Sequence, residues 1–247
     1  MNSRSAVLLS SWGAPGLAEI IESLRERRVS IGAIVLAGEF NPRDMAIVEE
    51  RTRGYYRPRT VFDISIPELP FHFVESHNSG ECRDLLRSLR PTVLVNAGTR
   101  NILARDVLDI PSLGTLNCHP GLLPQYRGCT CLEWAVLNGD PVGATCHFMS
   151  EAVDQGPIVL SAPMPVAAGS PYEKIRADMI DHACRTLADG VQAALREGRP
   201  ASHYPMPGEG RYWKVMPEDK ISEVRRKLLA GEYDTCSLRP ARVGAAT

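Results

Sequence analysis

Ala6-Val7-Leu8-Leu9-Ser10-Ser11-Trp12-Gly13-Ala14-Pro15-Gly16 is a short unbroken apolar run that gives way to small, turn-forming residues. Leu17, Ile20, Ile21 and Leu24 then recur at helical spacing, so the segment predicts strand, loop and helix in that order. Ile31 to Ala37 is a second apolar run. Further on, Leu85, Leu86 and Leu89 recur at helical spacing, Pro91 stops that helix, and Thr92-Val93-Leu94-Val95 starts another buried strand. Wholly apolar strands alternating with amphipathic helices predict a parallel sheet covered on both faces. The expected fold is α/β, a Rossmann-like, doubly wound, mostly parallel sheet over residues 1–200. Such a sheet binds ligands beyond the carboxyl ends of its strands, near the point where strand order reverses.

The whole chain suits this reading. Its 247 residues, 44% apolar and 23% charged, have a globular balance and need no metal or disulfide staple. Twenty-eight Lys plus Arg against 29 Asp plus Glu leave no overall field to gather nucleic acid, so no nucleic-acid partner is expected. No run approaches about 20 apolar residues and no secretory signal is legible, so the expectation is a cytoplasmic protein with no membrane partner. Seven cysteines, at 82, 118, 129, 131, 146, 184 and 236, are odd in number and lack CxxC spacing, which suits a reducing compartment. The first loop holds Gly13 and Gly16 but not GxGxxG, which argues against dinucleotide binding.

Ser170-Pro171-Tyr172-Glu173 reads as a helix start, with Ser170 as cap, Pro171 as first helical residue and Glu173 closing a capping box. Ile175, Met179, Ala183, Leu187, Val191 and Leu195 then form one apolar stripe that ends at Gly198 and Pro200. A Pro/Gly-rich connection, Tyr204 to Gly210, and a last helix from about Glu218 to Ala230 make residues 201–247 a short C-terminal extension.

The chemistry concentrates in Leu116-Asn117-Cys118-His119-Pro120-Gly121-Leu122-Leu123-Pro124-Gln125-Tyr126-Arg127-Gly128. Side chains alternate across a strand, so Asn117 and His119 emerge on one face and Cys118 on the other. A second segment, Thr145 to Leu160, reads as strand, loop and strand, with Asp154 in the loop ahead of Gly156. Taken alone, such an Asp is an ordinary turn residue. The cysteines and histidines from Cys118 to His147 also raise a metal reading. Cys118 faces away from His119, and Cys129-x-Cys131 is poorly spaced for tetrahedral zinc, so no metal site is expected.

Asn117-x-His119, Leu122-Leu123-Pro124-x-Tyr126-Arg127-Gly128, Trp134-Ala135, Asn138-Gly139-Asp140 and Asp154-x-Gly156-Pro157-Ile158 together resemble the folate-dependent N-formyltransferase family. The likeness runs over residues 6–200 and is strongest from 114 to 160. It implies the formyltransferase fold, 10-formyltetrahydrofolate as co-substrate, and Asn117, His119 and Asp154 as the catalytic trio. Amine attack on a formyl carbonyl creates an oxyanion and an ammonium. Asn117 has NH2 donors for the first, and His119, oriented and kept protonated by Asp154, can move protons. The same resemblance assigns donor contacts to Asn101, Ile102 and Leu103 and to the loop of Glu151, Ala152 and Val153.

For the acceptor, the resemblance and composition point to Trp12, Gly13, Arg57, Tyr126 and Arg127, the last two serving chiefly to lock the loop. Arg51 to Arg59 interleaves four arginines with two tyrosines, a composition able to hold an acidic acceptor or simply a solvated basic loop. His147 is expected on the neighbouring strand as packing. Gly121 replaces the family's usual Ser and Cys131 a common Pro, which suggests a more mobile loop. The first loop lacks the Asn and Ser that glycinamide ribonucleotide enzymes use for phosphate, and from its length the chain is expected to lack the tRNA-binding domain of methionyl-tRNA enzymes. Gly210 to Pro217 resembles the extension of sugar-type members. The expected activity is formyl transfer to a small-molecule amine, an amino sugar, amino acid or peptide-like compound, by a possible homodimer. Hydrolysis of the formyl donor and non-catalytic folate binding are the alternatives.

Overall fold

The computed structural model describes residues 5–64, 69–200 and 209–236. In chain order the elements are β1 (Ala6–Ser11), α1 (Leu17–Glu26), β2 (Ile31–Ala37), α2 (Pro42–Arg51), β3 (Phe71–Val74), α3 (Gly80–Leu89), β4 (Val93–Asn96) and α4 (Arg105–Leu108). There follow β5 (Gly114–His119), β6 (Arg127–Gly128), α5 (Cys131–Asn138), β7 (Gly143–Phe148), β8 (Ile158–Pro163), α6 (Tyr172–Glu197), β9 (Tyr212–Trp213) and α7 (Glu218–Leu229).

Seven strands form one sheet in the order β3-β2-β1-β4-β5-β7-β8. The pairs from β3 to β5 are parallel, whereas β7 is antiparallel to both β5 and β8. The order reverses at β1 and β4, and the crevice beyond their carboxyl ends is where the polar strand ends collect. The apolar runs are explained by burial on both faces. Leu8, Ile34, Val95 and Leu116 meet Ile21 of α1 and Leu187 of α6. Val7, Leu9, Val35 and Leu94 meet Leu86 of α3 and Val107 of α4 on the other side. Each such side chain contributes about 1.5–3 kcal/mol by leaving water, so a Leu8→Ala change should cost about 2–5 kcal/mol.

The helix ends follow local chemistry with one correction. Ser79 caps α3 by accepting from the Cys82 amide at 3.1 Å, and Arg90 ends it in the left-handed region at φ 47°, before Pro91. At α6 the residue before the helix is Pro171, whose carbonyl takes the first helical bond from Ile175, and no side chain caps it. The capping box read from Ser170 and Glu173 does not form. Glu173 is instead drawn into ion pairs with Arg53 at 3.3 Å and Arg225 at 3.6 Å, where opposite charges outcompete an amide donor.

Of the connection expected from Tyr204 to Gly210, residues 201–208 lie outside the described part. The extension returns to the sheet domain as β9, which pairs in parallel with β6. Trp213 stacks on Tyr126 and Trp134, at ring centroid distances of 5.6 and 4.8 Å. Its indole N–H donates to the Gln125 carbonyl at 2.9 Å. Val224 and Leu228 of α7 complete a separate core with Leu132 and Val136 of α5.

Candidate active site

Asn117 and His119 reach the crevice because β5 is the strand next to the reversal point, and its last residues are the polar ones. Asp154 arrives on the turn between β7 and β8. Its backbone is left-handed, at φ 56°, a conformation that Asp tolerates better than most residues but that still carries strain. The turn is pinned by close backbone approach at Gly156, where a Cβ would lie 1.6 Å from the Phe148 carbonyl oxygen. The buried Asp154 carboxylate accepts from the Gly128 amide at 3.0 Å and faces Nδ1 of His119 at 3.5 Å.

His119 is 5% exposed. Its Nε2 lies 2.7 Å from the Tyr126 carbonyl oxygen, which can only accept, so Nε2 carries a proton. Burial pushes the imidazole below its ordinary value, against the opposing pull of Asp154 and the Tyr126 carbonyl. The ring is therefore biased toward neutral. Desolvation is the larger effect, and it works against the protonated His119 expected from the carboxylate neighbour.

His147 stands directly opposite Asn117 in the antiparallel β5–β7 register, which brings the two side chains together on one face. Nδ1 of His147 donates to the Phe148 carbonyl at 3.0 Å, leaving Nε2 to accept from the Asn117 amide at 3.2 Å. Asn96, at the end of β4, donates to Oδ1 of Asn117 at 3.1 Å. The chain of donors fixes which way the Asn117 amide points and leaves one of its two N–H bonds free. Burial lowers the pKa of His147 as well, which suits its accepting role. Sequence reading gave His147 only packing and gave Asn96 no role. The register and a shared strand end were the signals, and neither is local in sequence.

Two clefts lie near these residues: Asn117, His147 and Asp154 line the smaller, His119 lines neither, and the larger meets only neighbours of the site. One, of about 200 Å3, is bounded by Asn96, Asn101, Ile102, Asn117, His147 and Asp154. Ile102 is 73% and Val153 48% exposed, so two apolar side chains stand uncovered at its walls. The other, of about 850 Å3, runs past Gly16, Cys118, Pro120 and Gly128 toward α6 and α7. Among the described residues, no helix is long and apolar enough to cross a membrane.

The sequence profile of the family described as formyl transferase matches residues 3–190. The chain belongs to the formyl transferase family. Among its relatives, a methionyl-tRNA formyltransferase of Thermotoga maritima is 36% identical over 115 residues, 46% of this chain and 37% of that protein. The bifunctional polymyxin resistance protein ArnA of Wigglesworthia glossinidia brevipalpis is 38% identical over 93 residues, 37% of this chain and 14% of that protein. The matched stretch thus spans well under half of each relative. In fold, the chain is similar to a sugar N-formyltransferase from Shewanella sp. FDAARGOS_354, with TM-score 0.58 and 16% identity over 98% of this chain and 84% of the other. It is likewise similar to glycinamide ribonucleotide transformylase 1 from Symbiobacterium toebii, with TM-score 0.56 and 20% identity over 78% and 87%.

Within this formyl transferase fold the remaining sequence candidates separate. Asn101, Ile102, Leu103 and Val153 line the smaller cleft. Glu151 and Ala152 do not: Glu151 turns outward toward Arg105 at 3.5 Å, and the Ala152 carbonyl closes its own turn by accepting from Ser150 and Gln155. Trp12 and Gly13 lie apart from both clefts, in a small recess with Phe40 and Phe62; Pro15 and Gly16 of that loop face the larger cleft instead. Arg57 is exposed and lines neither cleft. Tyr126 and Arg127 are buried and lock the loop. Tyr126 donates its hydroxyl to Asp140, and Arg127 donates to the Gly210 carbonyl at 3.3 Å. Gly121 does not loosen that loop. A Cβ there would lie 2.7 Å from the Tyr126 oxygen, 2.8 Å from Nε2 of His119 and 2.9 Å from Cβ of Cys131, so glycine permits close packing around the histidine.

Proposed function

We propose that the protein transfers a formyl group from 10-formyltetrahydrofolate to the amine of a small molecule. The observation that carries this reading is the Asp154 carboxylate facing His119 beside a cleft that Asn117 and Asp154 line, with a larger cleft passing the neighbouring Cys118, Pro120 and Gly128. The smaller fits the donor, because its walls offer strand-end carboxamides and the uncovered Ile102 and Val153, a mixture suited to a flat heteroaromatic ring with polar edges. The bound donor would supply the formyl carbonyl.

Asn117 holds its free N–H ready for the charge that develops on the formyl oxygen, and Asn96 and His147 keep the amide from turning, so little reorganisation is needed. The resting His119 is biased toward neutral and its Nδ1 faces Asp154. The pair can take up the proton released by the attacking amine, and the imidazolium so formed is stabilised by the buried carboxylate. That proton can then pass to the departing nitrogen. The Gly128 amide donates to the same Asp154 oxygen, Oδ2, that faces the ring and so holds it there.

The test is tetrahydrofolate release by the purified protein with an amine panel that includes charged initiator tRNA, since several relatives are named methionyl-tRNA formyltransferase. Amine-dependent release that falls at least about 100-fold in His119→Ala and Asp154→Ala is expected. Donor breakdown at the same rate with and without amine would instead favour hydrolysis. Folate binding with no turnover would favour a binding protein.

A further inference from the structure

The larger cleft is where this reading places the acceptor, and its walls are more informative than its size. Ile20, Leu132, Met179, Ile180, Val215 and Ile221 give it an apolar surface. Cys118, Cys131 and Cys184 line it too. Burial pushes all three thiols upward, Cys131 and Cys184 to about 12, so they are uncharged and behave as small hydrophobic groups.

Each hydroxyl in the lining is already committed to the protein. Thr52 donates to the Val48 carbonyl at 2.9 Å. Thr130 donates to the Lys214 carbonyl at 3.3 Å and accepts from the Met216 amide at 2.9 Å. Tyr172 donates to Glu133 at 2.7 Å and accepts from Arg176. The charges are paired as well: Glu133 with Arg176, and Arg225 with Glu218 at 3.0 Å and Glu173 at 3.6 Å, although the buried Nε of Arg225 makes no hydrogen bond. Arg51 is the exception, with no acidic partner among the described residues. It lies one helical turn beyond Val48 on α2, and both line the cleft. None of the residues of α2 is buried, so its cleft-facing side lacks cover that a ligand could provide.

A polyhydroxylated or multiply phosphorylated acceptor would meet few free side-chain partners here, and desolvating its unpaired groups would be costly. An apolar body would meet none of that cost. We propose that the acceptor is a hydrophobic primary amine bearing a single carboxylate, of amino-acid or short-peptide type, lying between α2, α5, α6 and α7 with its carboxylate toward Arg51. This rests on the transfer reading above and narrows it.

The test compares L-leucyl-L-phenylalanine, its C-terminal amide, glucosamine 6-phosphate and a uridine-diphosphate amino sugar as acceptors, with binding also measured by calorimetry in the presence of folinic acid. The dipeptide should exceed both sugars in kcat/KM by about 100-fold or more, and the amide should fall about threefold below the dipeptide. Arg51→Ala should erase the difference between dipeptide and amide. Ile180→Asp should weaken dipeptide binding about tenfold or more while leaving folinic acid affinity unchanged. Preference for either sugar, or an equal loss for dipeptide and amide in Arg51→Ala, overturns the assignment and leaves the transfer reading standing. Donor consumed by water with no response to any amine overturns the transfer reading, and this assignment with it.

Discussion

The two clefts near the end of β5 are built by different means. The smaller is made at strand ends: Asn96 of β4, Asn117 of β5 and His147 of β7 are neighbours because the strands are hydrogen-bonded in a fixed register. Its polar atoms are oriented by one another, and a slip of one residue would turn every one of them to the opposite face. The larger is made by helices and the C-terminal extension, and its walls come from residues as far apart as Pro15 and Arg225. On the proposed reading, chemistry is placed where the backbone ladder is rigid, and selection of the amine where helices and the extension meet.

The sharpest way to break this contrast is at the strand ends. Asn117→Ala should lower turnover about 100- to 1000-fold through loss of an oriented donor, measured as single-turnover formyl transfer with donor affinity little changed. A small loss would mean that the register-fixed amide does not face the reacting oxygen. On the other side, Trp213→Ala should cost about 3–5 kcal/mol of stability, read from denaturant midpoints, because it removes the ring stacked on Tyr126 and Trp134. In the surviving folded fraction it should raise the KM for the amine more than that for the donor; an equal rise in both would erase the distinction between the clefts.

A milder probe is Ile102→Ala, which removes an uncovered apolar wall of the smaller cleft. It should weaken folinic acid binding about tenfold by calorimetry, and unchanged affinity would move the donor elsewhere. The smallest effect is expected from acid. Burial holds His119 and His147 below the ordinary value of 6.5 in the folded protein, so the unfolded chain binds more protons below that pH. Their contribution to stability is intact above about pH 6.5 and drains away as pH falls beneath it, by at most about 1.4 kcal/mol per pH unit for each ring. His147→Gln should flatten part of that slope in urea titrations at stepped pH; an unchanged slope would show that the ring is not held neutral.

Legibility differed between these regions for the same reason. The apolar runs at Ala6, Ile31 and Val93 could be assigned to buried strands because local periodicity carries that information. Asn117 and His119 could be placed on one face because alternation needs only two residues of context. The Asp154 turn was readable as a turn, but its approach to His119 depends on β7 pairing with β5. His147 and Asn96 were missed as orienting groups because each acts across a strand boundary. Trp12, Gly13 and Arg57, to which the resemblance and composition point for the acceptor, are carried by the fold away from both clefts. Glu173 shows a related limit, since a capping pattern in sequence lost to two arginines brought from α7 and the segment after α2.

The sequence by itself determined the α/β class, the strand and helix order, and the polar residues at the end of β5, because each depends on short-range pattern and on the two-residue period of a strand. Only the tertiary structure decided that His119 rests biased toward neutral, that the Asn117 amide has one orientation, and that the larger cleft is apolar with its hydroxyls and most of its charges already paired. Those properties are set by desolvation and by hydrogen-bond partners supplied from distant segments, and neither exists until the chain has folded.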